Sequence, residues 1–200
     1  MRERSIGRAV SDSIAGLASA DVGVRQSAAR ELFQQGKALA EAAAKSWLGD
    51  AELTSLLVRD AGELHATVGI AVPPETFGRI RNANGSPPLA HVPPGEDAEE
   101  FELKFSGSVR LDILTTKAPQ GSGAIARFLE KLGEGVQQVE FAVTNVDRAT
   151  ELLLTRFGQS PIYPQTRPGA DGTRVNFFLV SAPQGRKVLV ELVETPPRQF

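Results

Sequence analysis

Residues 136–157 read VQQVEFAVTNVDRATELLLTRF, and this stretch decides the fold. Val136–Val143 carries β-branched and aromatic residues in a short run, which predicts a strand. Period two puts Gln138 and Glu140 on the same face of it. Val146–Phe157 has helical spacing of its apolar residues. Asn145 stands at the position of its N-cap and Gly158 just past its end. A strand followed at once by a capped helix is a βα unit. Downstream, Ile162–Gln165 predicts a short strand. Arg174–Val180 (RVNFFLV) and Val188–Val193 (VLVELV) predict two stronger ones, split by a turn at Ala182-Pro183-Gln184-Gly185. The order is β, α, β, β, β.

The same order precedes it. Thr67–Val72 (TVGIAV) reads as a strand, Glu75–Asn82 as a short helix after Pro73-Pro74, and Leu89–Val92 as a weak strand between proline pairs. Phe101–Phe105 and Val109–Leu114 follow as alternating strands around Ser106-Gly107-Ser108. Ser122–Leu132 is a connecting helix. The two halves repeat at about 70 residues in element order rather than in identity.

Residues 1–60 have a different character. Ile6, Val10, Ile14 and Leu17 make one helical stripe, and Ala28, Leu32, Leu39, Ala43 and Trp47 a second. Asp21 can cap the second helix. Gly49-Asp50 stops it and opens a third, short helix with Leu53, Leu56 and Leu57. The expected organisation is an N-terminal helical extension over 1–60 and a paired βαβββ domain over 61–200, with modules at about 64–118 and 134–195. The fold class is α+β, with the two modules enclosing a cleft. The helical stripe needs a surface to bury it, either the sheets or a twofold interface, so a homodimer is expected.

The composition narrows the function classes. With 22 basic and 24 acidic residues the formal charge is −2, and no electrostatic case for nucleic acid or an anionic membrane arises. Without cysteine, thiol catalysis and zinc–thiolate sites are excluded. The N-terminus has no continuous apolar run of signal-peptide type, and no stretch approaches the roughly 18 apolar residues that span a bilayer, so a cytoplasmic location is expected. No P-loop or nucleophile elbow is present, and two histidines support no convincing Ser/His/Asp set.

Three phrases carry a resemblance. Ala126–Val136 (ARFLEKLGEGV), Arg167–Val175 (RPGADGTRV) and Val188–Glu194 (VLVELVE) come in the order and spacing of corresponding phrases in methylmalonyl-CoA epimerases, and Val68–Val72 (VGIAV) resembles a first-strand element of that family. The chain thus resembles the vicinal-oxygen-chelate, or glyoxalase, superfamily, most closely its epimerase branch. Residues 1–60 have no counterpart in it.

That resemblance implies a divalent cation held by one ligand on the first strand and one on the last strand of each module, with two substrate oxygens bound and an enolate stabilised. Carried over residue by residue, the ligand positions fall on Thr67, Asp112, Gln138 and Glu191, and both histidines of the family pattern are absent. Asp112, Gln138 and Glu191 offer only oxygen, which suits a hard ion if any. His65, two residues before Thr67, is a candidate replacement ligand, against the plainer reading of an exposed histidine at a strand entry. Glu140 and Glu191 are the catalytic candidates, since a carboxylate aimed into a cleft is costly unless paired, metal-bound or functional. An outward, solvated Glu140 remains open. Arg167 and Arg174, with Arg79 and Arg81, are candidates for an anionic substrate group; surface solubility is the alternative for each. The expected cofactor is none or a weakly bound divalent cation, and the expected partner a small molecule in the cleft.

Three functions stay open. One is an epimerase, isomerase or lyase acting on an enolisable acyl-thioester or 2-oxo compound. Another is a metal-free small-molecule binding protein of the same fold. The third is a non-catalytic assembly subunit.

Overall fold

The structure is a computed structural model that describes residues 2–182 and 187–195, with side chains from residue 9 onward. The expected turn residues Pro183, Gln184 and Gly185, and the side chains of Arg4, Ile6 and Arg8, lie outside the described residues. The α+β class and the N-terminal helical segment are both present. Two helices open the chain, α1 (Arg2–Gly16) and α2 (Val22–Ala43). Asp21 caps α2 through its carboxylate, which accepts from Gly23 N at 2.7 Å and Val24 N at 3.2 Å. A 3-10 turn at Trp47–Gly49 follows, and Asp50 caps α3 (Ala51–Leu56) by accepting from Leu53 N at 2.8 Å.

Two compact units divide the chain, and neither is continuous in sequence. One comprises residues 1–36 and 67–137, the other 37–66 and 138–200.

In the first unit, β3 (Ala66–Ala71) runs parallel to β5 (Arg110–Thr115), and β4 (Glu99–Lys104) pairs antiparallel with β5. Helix α4 (Pro74–Ala83) follows β3, and α5 (Ala124–Leu132) follows β5. One face of this sheet is apolar. Val68, Ile70, Leu111, Ile113 and Phe101 are fully buried there, with Phe77 of α4 edge-on to Phe101 at 4.8 Å. Helix α2 lies on the same face, because a Cβ added to Gly36 would sit 2.5 Å from a methyl of Val68. Its buried residues are Ala28, Ala29, Leu32, Phe33, Gly36 and Ala40; Ala28 and Leu32 of the expected stripe are buried, as is Trp47 beyond the helix, whereas Leu39 and Ala43 are half-buried. Glycine at position 36 allows this close approach to Val68, since any side chain there would collide.

In the second unit, β6 (Gly135–Ala142) contributes residues 138–142. It pairs parallel with β9 (Lys187–Glu194), which pairs antiparallel with β8 (Arg174–Ser181), and β8 carries the two-residue β7 (Arg167–Pro168). Helix α6 (Val146–Phe157) follows β6 directly. Asn145 caps it by accepting from Arg148 N at 2.9 Å, and Gly158 ends it in the left-handed region at φ 60°. The core face holds Val139, Phe141, Val190, Leu192 and Phe178, with Trp47 edge-on to Phe178 at 6.0 Å.

Three sequence expectations need correction. The helical reading of 1–60 stops at Leu56, since Arg59–Asp60 forms β1, paired with β2 (Glu63–Leu64). Ala61 and Gly62 both have positive φ, 49° and 88°, as a two-residue hairpin turn requires. Leu89–Val92 is not a strand. The prolines on both sides offer no N–H for a ladder, and a single bond from Ala90 N to Glu100 O, 2.9 Å, is formed. Ile162–Gln165 is not a strand either. Ile162 N reaches Phe177 O at 2.7 Å, but Pro161 and Pro164 break the run, and the pairing moves on to β7.

The Gly36 contact makes a direct test. Gly36→Ala should destabilise the protein by about 1–3 kcal/mol through overpacking against Val68. Gly78→Ala, in α4 where an added Cβ meets no atom within 4 Å, should be neutral or stabilising by about 0.5–1 kcal/mol. Urea unfolding midpoints of the two variants check the pair, and equal effects would contradict the packing described.

Candidate functional site

Alternation carries polar residues to the face opposite each core. In the first unit the register aligns Gly69 with Asp112, and Asp112 with Glu102. Thr67, two residues before Gly69, shares this face and is 8% exposed. Asp112 is half-buried, and Glu102 pairs with Lys104 at 2.7 Å. At the other end of the same face, Ala71 and Leu114 pack on Ile125, so α5 covers it there. The loop leading into α5 is held by Asp97, whose carboxylate accepts from Thr116 Oγ1 at 2.8 Å and Ala118 N at 3.0 Å.

In the second unit the parallel register sets Glu140 opposite Glu191, and the antiparallel register sets Glu191 opposite Phe177. Gln138 shares the face, two residues before Glu140. Its side-chain amide donates from Nε2 to both carboxylates, 3.1 Å to Glu140 Oε1 and 2.6 Å to Glu191 Oε2. Glu191 is 7% exposed and Glu140 half-buried. Such a carboxylate is costly to bury without donors, and the amide supplies one N–H to each.

The arrangement bears on a metal. A cation between Glu140 and Glu191 would meet the N–H end of the amide, not its oxygen. As arranged, these three groups are an internally bonded set and do not fit a cation. Among the described residues no group of three or more His, Asp or Glu side chains is placed to hold a metal ion. His65 is engaged elsewhere, with Nδ1 2.8 Å from Asp60 across the β1–β2 hairpin.

The two arginine candidates have separate surroundings. Arg167 lies over the Tyr163 ring, 4.4 Å from its centroid, and Tyr163 meets Phe177 edge-on at 6.0 Å. An unbroken run of contacts thus leads from Arg167 to the rung that holds Glu191. The aromatic pair was not singled out in the sequence; the signal was the adjacent Phe177 and Phe178 in RVNFFLV, which alternation must send to opposite faces. Arg174 braces β8 to the start of α6. It donates to Asp147, to Thr166 Oγ1 at 3.1 Å and to Glu194 at 3.3 Å, while Glu194 accepts from Val146 N at 2.8 Å. Arg79 and Arg81 donate to Thr76 and to the Pro87 carbonyl. His91 lies in the proline-flanked loop.

No family model and no curated protein matches the chain. Solved structures do. Methylmalonyl-CoA epimerase from Mycobacterium tuberculosis is 26% identical over 66% of this chain and 87% of its own, with a TM-score of 0.52. A variant of the Streptomyces coelicolor methylmalonyl-CoA epimerase, in complex with 2-nitronate-propionyl-CoA, is 23% identical over 67% and 98%, TM-score 0.51. A hypothetical protein from Bacillus halodurans C-125 is 22% identical over 69% and 97%, TM-score 0.54. The chain has a glyoxalase-type fold, as in the vicinal-oxygen-chelate superfamily. Several of the solved structures it is similar to are methylmalonyl-CoA epimerases. Among the described residues no helix is long and apolar enough to cross a membrane.

The brace at Arg174 has a pH signature. Its hydrogen bond to Asp147 holds that carboxyl below the ordinary value of 3.8, with lesser help from Thr166 and against partial desolvation. A lowered folded-state pKa stabilises the fold above the ordinary value, and the gain is lost as the pH falls through the lowered one. Arg174→Gln should therefore reduce stability at neutral pH and flatten its decline from about pH 5 downward. Urea midpoints across that range check this, and an unchanged acid slope would contradict it.

Proposed function

We propose that this chain is an enzyme that moves a proton on the carbon beside a carbonyl, in an acyl-thioester or 2-oxo compound, with Glu140 and Glu191 as its acid–base pair. The observation that carries the reading is their shared rung, tied by the Gln138 amide. One carboxylate takes the proton from the carbon and the bonding electrons move toward the carbonyl oxygen. The other carboxylate, protonated, returns a proton to the same or a neighbouring carbon. Both side chains leave the sheet on one face, so they meet one face of a planar enolate. A shift that removes and returns the proton on that face, or an elimination, suits the pair within this unit; inversion needs a further group. Arg167, carried on Tyr163, is the group we assign to an anionic part of the substrate. The similarity to methylmalonyl-CoA epimerases supports the reaction class. The family's two histidine positions are taken here to be Thr67 and Gln138, and of the two cofactor expectations, none or a weakly held hard cation, the reading takes the first. A homodimer in the cytoplasm completes the proposal.

A metal-free binding protein is the second reading. It is favoured by the same amide, which engages both carboxylates and leaves Phe177 and the exposed Leu179 on that face to hold an apolar ligand.

Incubation in D2O with short acyl-CoA thioesters and 2-oxo acids separates the two. The enzyme reading predicts exchange of the proton beside the carbonyl, read by NMR, reduced about 10²–10⁴-fold in Glu191→Gln or Glu140→Gln. Ligand binding without exchange in the unaltered protein would overturn it in favour of the binding protein.

A further inference from the structure

The three groups on the polar face of the second unit are joined by a hydrogen-bond donor. Glu140 and Glu191 are register partners on neighbouring parallel strands, which places their backbones about 4.8 Å apart. Two carboxylates at that spacing repel unless something positive lies between them. A divalent cation is one solution. Gln138 is another, because a primary amide has two N–H groups on one nitrogen and here that nitrogen reaches both carboxylates. The 2.6 Å bond to Glu191 is at the short end for a donor facing a charged acceptor.

We propose that the Gln138 amide stands in for a divalent cation, so that the carboxylate pair is assembled without metal and the native protein is indifferent to metal. To act as a ligand the amide must turn its oxygen inward toward the cation, which breaks both N–H bonds. The amide thus opposes metal entry as well as replacing it. Gln138 is a positioning residue here, acting through the two carboxylates. The inference rests on the pair read above as acid and base, though not on turnover.

Removing the donor should make the site need what the amide now supplies. The full chain, stripped with a chelator, is to be melted with and without millimolar Mg2+, Mn2+ or Co2+. The unaltered protein should show no change in Tm and no stoichiometric metal after dialysis. Gln138→Ala should melt lower in chelator and regain about 5 °C or more with metal at a hundredfold excess over its Kd. The added change Glu191→Gln should abolish that response and so assign it to this site. If Gln138→Ala does not fold, Gln138→Glu keeps the size and replaces the donor with a third carboxylate, and should be more dependent on metal. Stoichiometric metal in the unaltered protein, a rise in its Tm equal to the variant's, or variants that ignore metal would each overturn the proposal. Absence of proton exchange in D2O would strike the enzyme reading alone and leave the metal result standing.

Discussion

The parallel pairing of β6 with β9 is the interaction on which the site depends. Side chains alternate along both strands, so a single register decides two things together. Val139, Phe141, Val190 and Leu192 go to the core, and Gln138, Glu140 and Glu191 go to the other face. A slip of one residue would turn the glutamates into the layer that now holds Phe178 and Trp47. The core therefore enforces the meeting of two carboxylates that would otherwise separate. Helix α6, which starts at the Asn145 cap and ends at Gly158, packs against β8 and β9.

Much of this is legible in the chain because the two periods differ. Strand alternation in VQQVEFAV and VLVELV marks faces, and the caps at Asp21, Asp50 and Asn145 mark helix starts by a local chemistry that needs no tertiary context. The failures are also local in origin. Leu89–Val92 and Ile162–Gln165 have strand composition, but their prolines remove donors on which pairing depends, and the partner Arg167–Pro168 is too short to show a period. The hairpin at Ala61-Gly62 hides because alanine rarely adopts a positive φ.

The site was legible to the level of faces and no further. Alternation places Gln138 beside Glu140, and the resemblance brings in Glu191. It does not say which end of the amide points at the carboxylates, since oxygen and nitrogen are nearly equal in size and the choice is made by the neighbours' charge. Nor does it reveal that Asp60 engages His65, or that Arg174 braces α6 while Arg167 rests on Tyr163. Asp147 is 27 residues from Arg174, and the two nearer pairings, Asp60 with His65 and Tyr163 with Arg167, depend on turns that the sequence does not announce.

The direction of the Gln138 amide is the most direct point at which to test this account. In a 13C,15N-labelled sample, scalar couplings across hydrogen bonds can be measured from Gln138 Nε2 to the carboxyl carbons of Glu140 and Glu191. Couplings to both carbons, unchanged when Mg2+ or Mn2+ is removed by a chelator, are the predicted result. An amide without coupling to either carboxylate, or one whose couplings appear only after metal is stripped, would contradict it.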